Sequence, residues 1–482
     1  MDREGNRSWF THTADLVIEH VDRPDGCVQI YFLSSMADSK VVYNELMPKL
    51  RLLCLDEVGI EHVEKQLGTA GGNRIFRETD AISRLLSGDI YIHVEGANYG
   101  VTVPSGDTVG RSVQSAEIET VVLGPQLAFV EEIQVNLCIL RKYLPSSLLF
   151  HERLLVGELI PTEVSILYLD GIADPENVNT IRQRLQDIRA ESDMDAGILS
   201  QYLADNEMSI FPTLQLTERP DRAVQGLRHG QIVVIAQGSP FVLLGPTTFL
   251  RFFQSPDDYY LRWNLASFNR VMRIIAMFIS LLLTPIYVAT LTFHYEMIPA
   301  DLLLSLAQSR SRVPFPPLWE AIFMELIIEL LREAGARLPT KVGQTIGIVG
   351  GIVIGQATVQ AGFTSNILII IVALGALSSF IAPSYMISST IRVIRFPMIL
   401  LSGLLGAVGI VAGFSFLASH LLRQKSLGRP YMYPVFPVRF SDWKNSLIRA
   451  PLSLLPRRLM FFTPKQRMRF DPKRGRRKED ID

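Results

Sequence analysis

Charge is absent from one long part of this chain. Between Val342 and Ile391 there is no Asp, Glu, Lys or Arg, although 20% of the 482 residues are charged. A water-soluble domain seldom keeps fifty residues free of ions, whereas an ion at the centre of a bilayer is expensive. Cysteine is also scarce. Cys27, Cys54 and Cys138 show no CxxC spacing, which argues against a disulfide framework and fits a reducing compartment. The opening MDREGNRSWF lacks the apolar core of a signal peptide, so the first 270 residues are expected to stay in the cytoplasm. The eight histidines have no HExxH or other metal spacing. Gly71-Gly72 lacks a Walker lysine–hydroxyl pair. No catalytic set emerges, and the expectation is a non-enzyme with no metal and no cofactor.

What charge there is lies unevenly. Residues 1–270 hold 23 Lys+Arg against 37 Asp+Glu, a net of −14; residues 271–420 hold 8 against 6, and residues 421–482 hold 16 against 5. An acidic head, an almost neutral middle and a basic tail are segregated. In the head, Cys27–Leu33, Asp89–Val94, Tyr99–Val103, Val164–Leu169 and Ile232–Ala236 read as strands. Lys40–Leu53, Glu78–Leu86, Phe129–Tyr143 and Glu176–Ile188 read as helices. The expected architecture is an α/β (α+β) N-terminal soluble domain in two subdomains, 1–150 and 151–265. A multi-span α-helical membrane domain of four to six segments (266–422) and a basic cytoplasmic tail (423–482) follow.

Span candidates are Ile274–Phe293, Leu318–Glu333, Val342–Ala361, Ile367–Ile387 and Phe396–Ser419, with a turn expected at Gly362–Asn366. Five crossings would put the basic tail opposite the head, against the retention of Lys and Arg in the cytoplasm. Either one segment is re-entrant or interfacial, or one splits into a hairpin.

Glu325, Glu329 and Glu333 repeat every four residues, so they share a helical face. Intramembrane carboxylates face a bundle interior or a water-filled path, and a ring of them attracts cations; the alternative is internal pairing, with Arg332 and Arg337 the nearest partners. Gly343, Gly347, Gly351 and Gly355 form a second four-residue stripe, suited to close helix packing. The same segment carries Gln344, Thr345, Gln356 and Thr358, polar groups costly against lipid. Gln356, Thr358 and Val359 are therefore candidates to line a pore. The run Pro472–Lys478, PKRGRRK, would in isolation suggest nucleic acid. Beside a span, attraction to anionic lipid and fixing of topology are the better reading, with no nucleic-acid partner.

Ordered motifs cover the chain from about residue 110 to 460. Phe211-Pro212-Thr213 followed by Thr217-Glu218-Arg219-Pro220-Asp221 resembles the FPxxxxTERPD signature of the A subunit of GerA-type spore germinant receptors. Gly124-Pro125, Phe129-Val130-Glu131, Asn136 and Arg141 are similar to another element of that family, as are Ser255–Tyr260, Val313–Pro317, Leu331–Gly335 and Gly428–Tyr431. Arg111 and Glu119 keep the family's spacing without its intervening proline, and Gln126 stands where a basic residue is usual. The resemblance implies a nutrient-sensing receptor subunit of the spore inner membrane. It implies assembly with a permease-like B subunit and a lipoprotein C subunit, and a homo-oligomer in the lipid bilayer forming a ligand-gated cation channel. A non-conducting scaffold is the alternative, and a secondary transporter a weaker one. The motif charges also have a structural reading, as a turn that holds subdomains together.

Overall fold

The computed structural model describes residues 13–21, 28–52, 73–94, 97–105, 115–189, 194–339, 351, 353–455 and 457–468. Cys27, Cys54, Gly71-Gly72, Arg111, Gly343, Gln344, Thr345, Gly347 and Pro472–Lys478 lie outside them.

Two five-stranded antiparallel sheets make the N-terminal part. The first contains β1 (Leu16–Val21), β2 (Val28–Leu33), β3 (Asn73–Ile75), β4 (Asp89–Val94) and β5 (Gly100–Pro104), in the order β1-β2-β4-β5-β3. Alternation sorts its side chains. Ile30, Phe32, Ile90 and Ile92 pack on one face with Val42, Leu46 and Leu50 of a π-helical turn (Val41–Leu46) and α1 (Met47–Leu52). Tyr31, Leu33 and Tyr91 pack on the other face with Ala81 and Leu85 of α2 (Glu78–Leu85).

The second sheet contains β6 (Leu149–Val156), β7 (Thr162–Leu169), β8 (Gln215–Thr217), β9 (Ile232–Ala236) and β10 (Val242–Gly245), in the order β6-β7-β9-β10-β8. Its central strand β9 is buried at every residue. Ile232, Val234 and Ala236 meet α4 (Pro175–Asp187) and α5 (Ala196–Tyr202) on one side. Val233 and Ile235 meet α3 (Ile133–Tyr143) and α6 (Pro220–His229) on the other. Covering both faces accounts for an unbroken IVVIA run in an antiparallel sheet; full burial of each large side chain is worth about 1.5–3 kcal/mol.

Helix α3 joins the halves. Ile133, Leu137 and Leu140 face the second sheet, while Cys138 packs with the first. From its last turn the fully buried Arg141 donates to Asp15 at the edge of β1, Nε to Oδ2 at 2.9 Å and Nη2 to Oδ1 at 2.7 Å. Burial alone would raise the Asp15 carboxyl, but the Arg141 charge and hydrogen bonds, with the His151 ring 3.7 Å away, carry it well below the usual carboxylate range. A depressed carboxylate contributes stability that is full above its unfolded value, near 3.8, and is lost as pH falls through the lower folded value. Asp15→Asn should therefore lower the thermal midpoint at pH 7 and leave a flatter profile between pH 4 and 2. Parallel melting curves of the two proteins at pH 7 and pH 3 check both signs.

The C-terminal half is helical. It contains the short α7 (Asp257–Tyr260), α8 (Trp263–Phe293), α9 (Ala300–Arg310), α10 (Pro317–Arg337), helical residues 353–360, α11 (Asn366–Phe380) and α12 (Tyr385–Arg423). Helices α8 and α12 are long and apolar enough to cross a membrane. They expose Phe278, Ile286, Leu404, Val408, Val411 and Phe416.

Part-way along, α12 reverses direction and so comprises two helices. Gly406 adopts φ 62°, ψ −140°. Thr390 donates to the carbonyl of Ile210 at 2.8 Å, and His420 lies 3.0 Å from the Ser209 hydroxyl. A straight helix would separate residues 390 and 420 by about 45 Å, yet both touch adjacent residues. Gly413 packs against Met398, and Phe278 of α8 meets Phe414. The legs 385–405 and 407–423 therefore form a helical hairpin whose tip, at Gly406, meets Phe293 and His294 at the far end of α8. The expected single span Phe396–Ser419 is this hairpin.

After α12 the chain returns to the head. Strands β11 (Lys425–Ser426) and β12 (Arg429–Pro430) pair. Leu427 enters the core of the second sheet, and the buried Tyr431 donates to the Pro212 carbonyl at 2.7 Å. Arg429 pairs with Asp174. A last helix, α13 (Phe440–Ser446), lies at the base of α8.

Candidate functional site

The arginine of the TERPD sequence is completely buried, and its partners are internal. Arg219 donates to Asp221 (Nε–Oδ1 3.0 Å, Nη2–Oδ2 2.8 Å) and to the Glu119 and Pro125 carbonyls at 3.3 and 2.8 Å. Glu218 accepts from the backbone N–H of Ile118 at 2.7 Å and of Glu119 at 2.5 Å. Pro220 occupies the first helical position of α6, where its missing N–H is harmless. Asn136 closes a local turn through both ends of its amide on Val130, while Glu131 is exposed, its carbonyl accepting from Gly238. Burial raises the Glu119 carboxyl against the pull of Arg222, which pairs with it and also donates to the Gln254 carbonyl at 3.0 Å. The Tyr260 hydroxyl donates to Asp221 at 3.0 Å. The motif thus fastens the 118–125 loop to α6 and to the segment that leads into α8.

That segment ends in a buried charge cluster. Asp258, fully buried, accepts from Arg270 at 3.0 Å and from Arg273 at 2.8 Å, and Arg270 continues to the Asn445 carbonyl at 2.6 Å. Arg270 and Arg273 are thus the joint between head, α8 and tail.

Within the bundle, α10 carries a ladder of acids met by arginines. At the end far from the head, Glu320 accepts from the Thr364 hydroxyl at 3.1 Å and the Ser365 N–H at 2.5 Å, with Arg310 at 3.6 Å. In the middle, Glu325 has 4% of its side chain exposed; it pairs with Arg395 at 2.6 Å and accepts from Thr284 at 2.9 Å. Arg395 also reaches Ser280 at 2.5 Å and the Gly375 carbonyl at 3.3 Å, so four helices meet on one ion pair. Towards the head, Glu329 is flanked by Arg332 at 3.0 Å and Arg392 at 3.2 Å. Glu333 pairs with Arg337 at 2.6 Å in the open, with 61% of its side chain exposed. The three acids picked by spacing share a face but not an environment, because exposure rises stepwise along it.

The internal partners of Glu325 and Glu329 include Arg395 and Arg392 of α12, beside the expected Arg332. The signal was there as a three-residue spacing of arginines opposite a four-residue spacing of acids. Only antiparallel α10 and the first leg of α12 bring the two into register. Beyond the ladder, residues 353–360 expose Gln356, and the Thr358 hydroxyl bonds back to the Ile354 carbonyl at 2.8 Å. Val359 is half-buried, and nothing lies within 4 Å of a side chain added at Gly351 or Gly355. Gly362, at φ 69° against the Arg312 carbonyl, makes the expected turn, and Ser365 caps α11.

The architecture is a folded head of two sheets joined through buried arginines to a charge-laddered helical bundle in which two helices are apolar enough to cross a membrane, with no metal-binding cluster among the described residues. The Bacillus/Clostridium GerA spore germination protein family matches residues 6–461, and the chain belongs to that family, the A subunits of germinant receptors. It is 53% identical over 362 residues to spore germination protein GerQA of Bacillus cereus, covering 75% of this chain and 72% of that one. It is 36% identical over 446 residues to spore germination protein A1 of Bacillus subtilis (strain 168), covering 92% of each. The crystal structure of the N-terminal domain of the A subunit of the Bacillus megaterium spore germinant receptor GerK3 aligns with 50% of this chain and 92% of its own, at 25% identity and a TM-score of 0.38. A subunits of germinant receptors work within multi-subunit complexes, and these two relatives carry the names of germination proteins rather than enzymes.

Proposed function

We propose that this chain is the nutrient-responsive A subunit that oligomerises in the spore inner membrane into a ligand-gated cation channel. In this reading it works beside a permease-like B subunit, which binds the nutrient, and a lipoprotein C subunit, with head and tail both on the core side. The chain then crosses the bilayer six times: α8 outward, α10 back, the segment that contains 353–360 outward, α11 back, and the two legs of α12 out and back. The even number agrees with the packing of the tail on the head.

The observation that carries the channel reading is the uncovered face at 351–360. Gln356 is exposed and Gly351 and Gly355 are unopposed in a bundle whose α10 acids are all paired. Gly351 and Gly355 would face a second copy, with Gln356, Thr358 and Val359 turned to the pore and Glu333 near its mouth. Gln356→Arg, which places a fixed positive charge on that face, should cut cation flux at least roughly tenfold with assembly intact. Flux from liposomes holding the purified chain measures it, and unchanged flux removes the segment from the path.

One observation favours a second reading, a non-conducting subunit that transmits a signal. Glu325 is closed by Arg395 and Glu329 by two arginines, leaving no free acid at mid-bundle among the described residues. Sealed liposomes with a correctly assembled oligomer would decide for it.

A further inference from the structure

The C-terminal segment holds a cavity of about 760 Å³. Arg439, Lys444, Arg457, Arg458 and Arg467 line it against a single acid, Asp442, whose carboxylate already accepts from the Tyr433 hydroxyl. Arg458 is fixed by the carbonyls of Arg228, Gln466 and Met468, each at 2.8 Å. Among the described residues, Lys444, Arg457 and Arg467 form no ion pair. Asn445, only 7% exposed, is among the residues that line the cavity, and its buried Oδ1 has no partner among the described residues.

The height of the cavity is set by α8. Asn445 is tied to Arg270 at 2.6 Å, and Ser267 donates to the Arg449 carbonyl at 2.9 Å. Those anchors lie one to two helical turns, about 6–10 Å, before the apolar run that begins at Ile274. This is the level at which phospholipid head groups sit. Around it Phe436, Val438 and Phe440 are more than half exposed, as are Trp263 and Phe268 at the foot of α8. Exposed aromatic side chains interleaved with arginines and a lysine suit a bilayer interface, where rings enter the head-group layer and cations meet phosphate. A site for a free anion needs no such apolar rim.

We propose that this cavity binds the head group of an anionic phospholipid bearing a free hydroxyl, of the phosphatidylglycerol type. The phosphate diester lies among Arg458, Lys444, Arg457 and Arg467. A head-group hydroxyl donates to Asn445 Oδ1, and the acyl chains leave past Phe436 and Phe440. The lipid becomes a pin between the tail and the foot of α8, because Asn445 contacts both it and Arg270. The site is independent of whether the chain conducts.

Native mass spectrometry of the full chain in neutral detergent tests it, with added phosphatidylglycerol, phosphatidylcholine, phosphatidylmethanol, inorganic phosphate or a short oligonucleotide. Phosphatidylglycerol should be retained and phosphatidylcholine not. Phosphatidylmethanol, which keeps the charge but lacks the hydroxyls, should bind several-fold more weakly. The exposed-site variant K444E/R457E/R467E should bind phosphatidylglycerol roughly a hundredfold more weakly while keeping the parent melting temperature. Equal retention of the glycerol and choline lipids would overturn the proposal, as would indifference to charge reversal. Displacement of the lipid by phosphate or oligonucleotide at matching concentrations would also overturn it, by assigning the pocket to a soluble anion or to nucleic acid.

Discussion

Arg395→Met should be among the most damaging single substitutions in the bundle, destabilising it by about 3–5 kcal/mol. The reason is asymmetric. Arg395 serves Glu325, Ser280 and the Gly375 carbonyl together, and without it a carboxylate 4% exposed keeps only the Thr284 hydroxyl. Glu325→Leu should be comparably harmful because it strands the guanidinium. The double variant Glu325→Leu/Arg395→Met should recover much of the loss, since a buried pair exchanged for apolar groups of similar size is often neutral or stabilising. Thermal midpoints of the detergent-solubilised proteins give the full cycle. A near-silent single variant, or a double variant worse than either single, would mean that this pair does not hold the four helices. Germination of spores carrying the double variant then separates roles: normal cation release with the pair removed makes it a clamp, and lost release with normal stability gives it a part in conduction.

Gly406→Val should prevent the hairpin from closing. At φ 62°, ψ −140° the backbone is in a region essentially reserved for glycine, and strain there is worth about 1–3 kcal/mol. A β-carbon would also come within 3.0 Å of His294 Nε2 and of the Phe293 ring, and overpacking adds about 1–3 kcal/mol. The His294 contact to the Ala407 N–H, 3.2 Å in length, would be lost with it. Cysteines at Met398 and Gly413, which touch across the legs, should cross-link readily in the parent and poorly in the valine variant. Equal cross-linking would show that the turn does not depend on glycine.

Local features were the legible ones. Asp89–Val94 and Ile232–Ala236 match the observed strands end for end, because β-branched runs announce themselves without reference to the rest of the chain. Gly362 announced a turn for the same reason. Glu325, Glu329 and Glu333 were visible as a shared face, but their partners were not. Glu325 and Arg395 are 70 residues apart, and spacing within one helix is silent about which neighbour it meets. Gly406 was hidden differently, as one more small residue in an apolar run where glycine also serves close packing. The tail read only as basic because Leu427 and Tyr431 are single apolar residues whose burial depends on a surface two hundred residues earlier. The TERPD charges were recognisable as a motif, but their inward direction was not.

The hairpin has a kinematic consequence. Its two legs are planted on consecutive residues, Thr390 on Ile210 and His420 on Ser209. Immediately after them Phe211, Pro212 and Thr213 receive contacts from the core and from Tyr431 and Ser426 of the returning tail. Legs anchored on one short stretch have little freedom to slide past each other and move chiefly as a unit. A displacement of a few residues in the head therefore reaches the far tip of the bundle as a tilt of the whole hairpin, along a lever roughly 20–25 Å long.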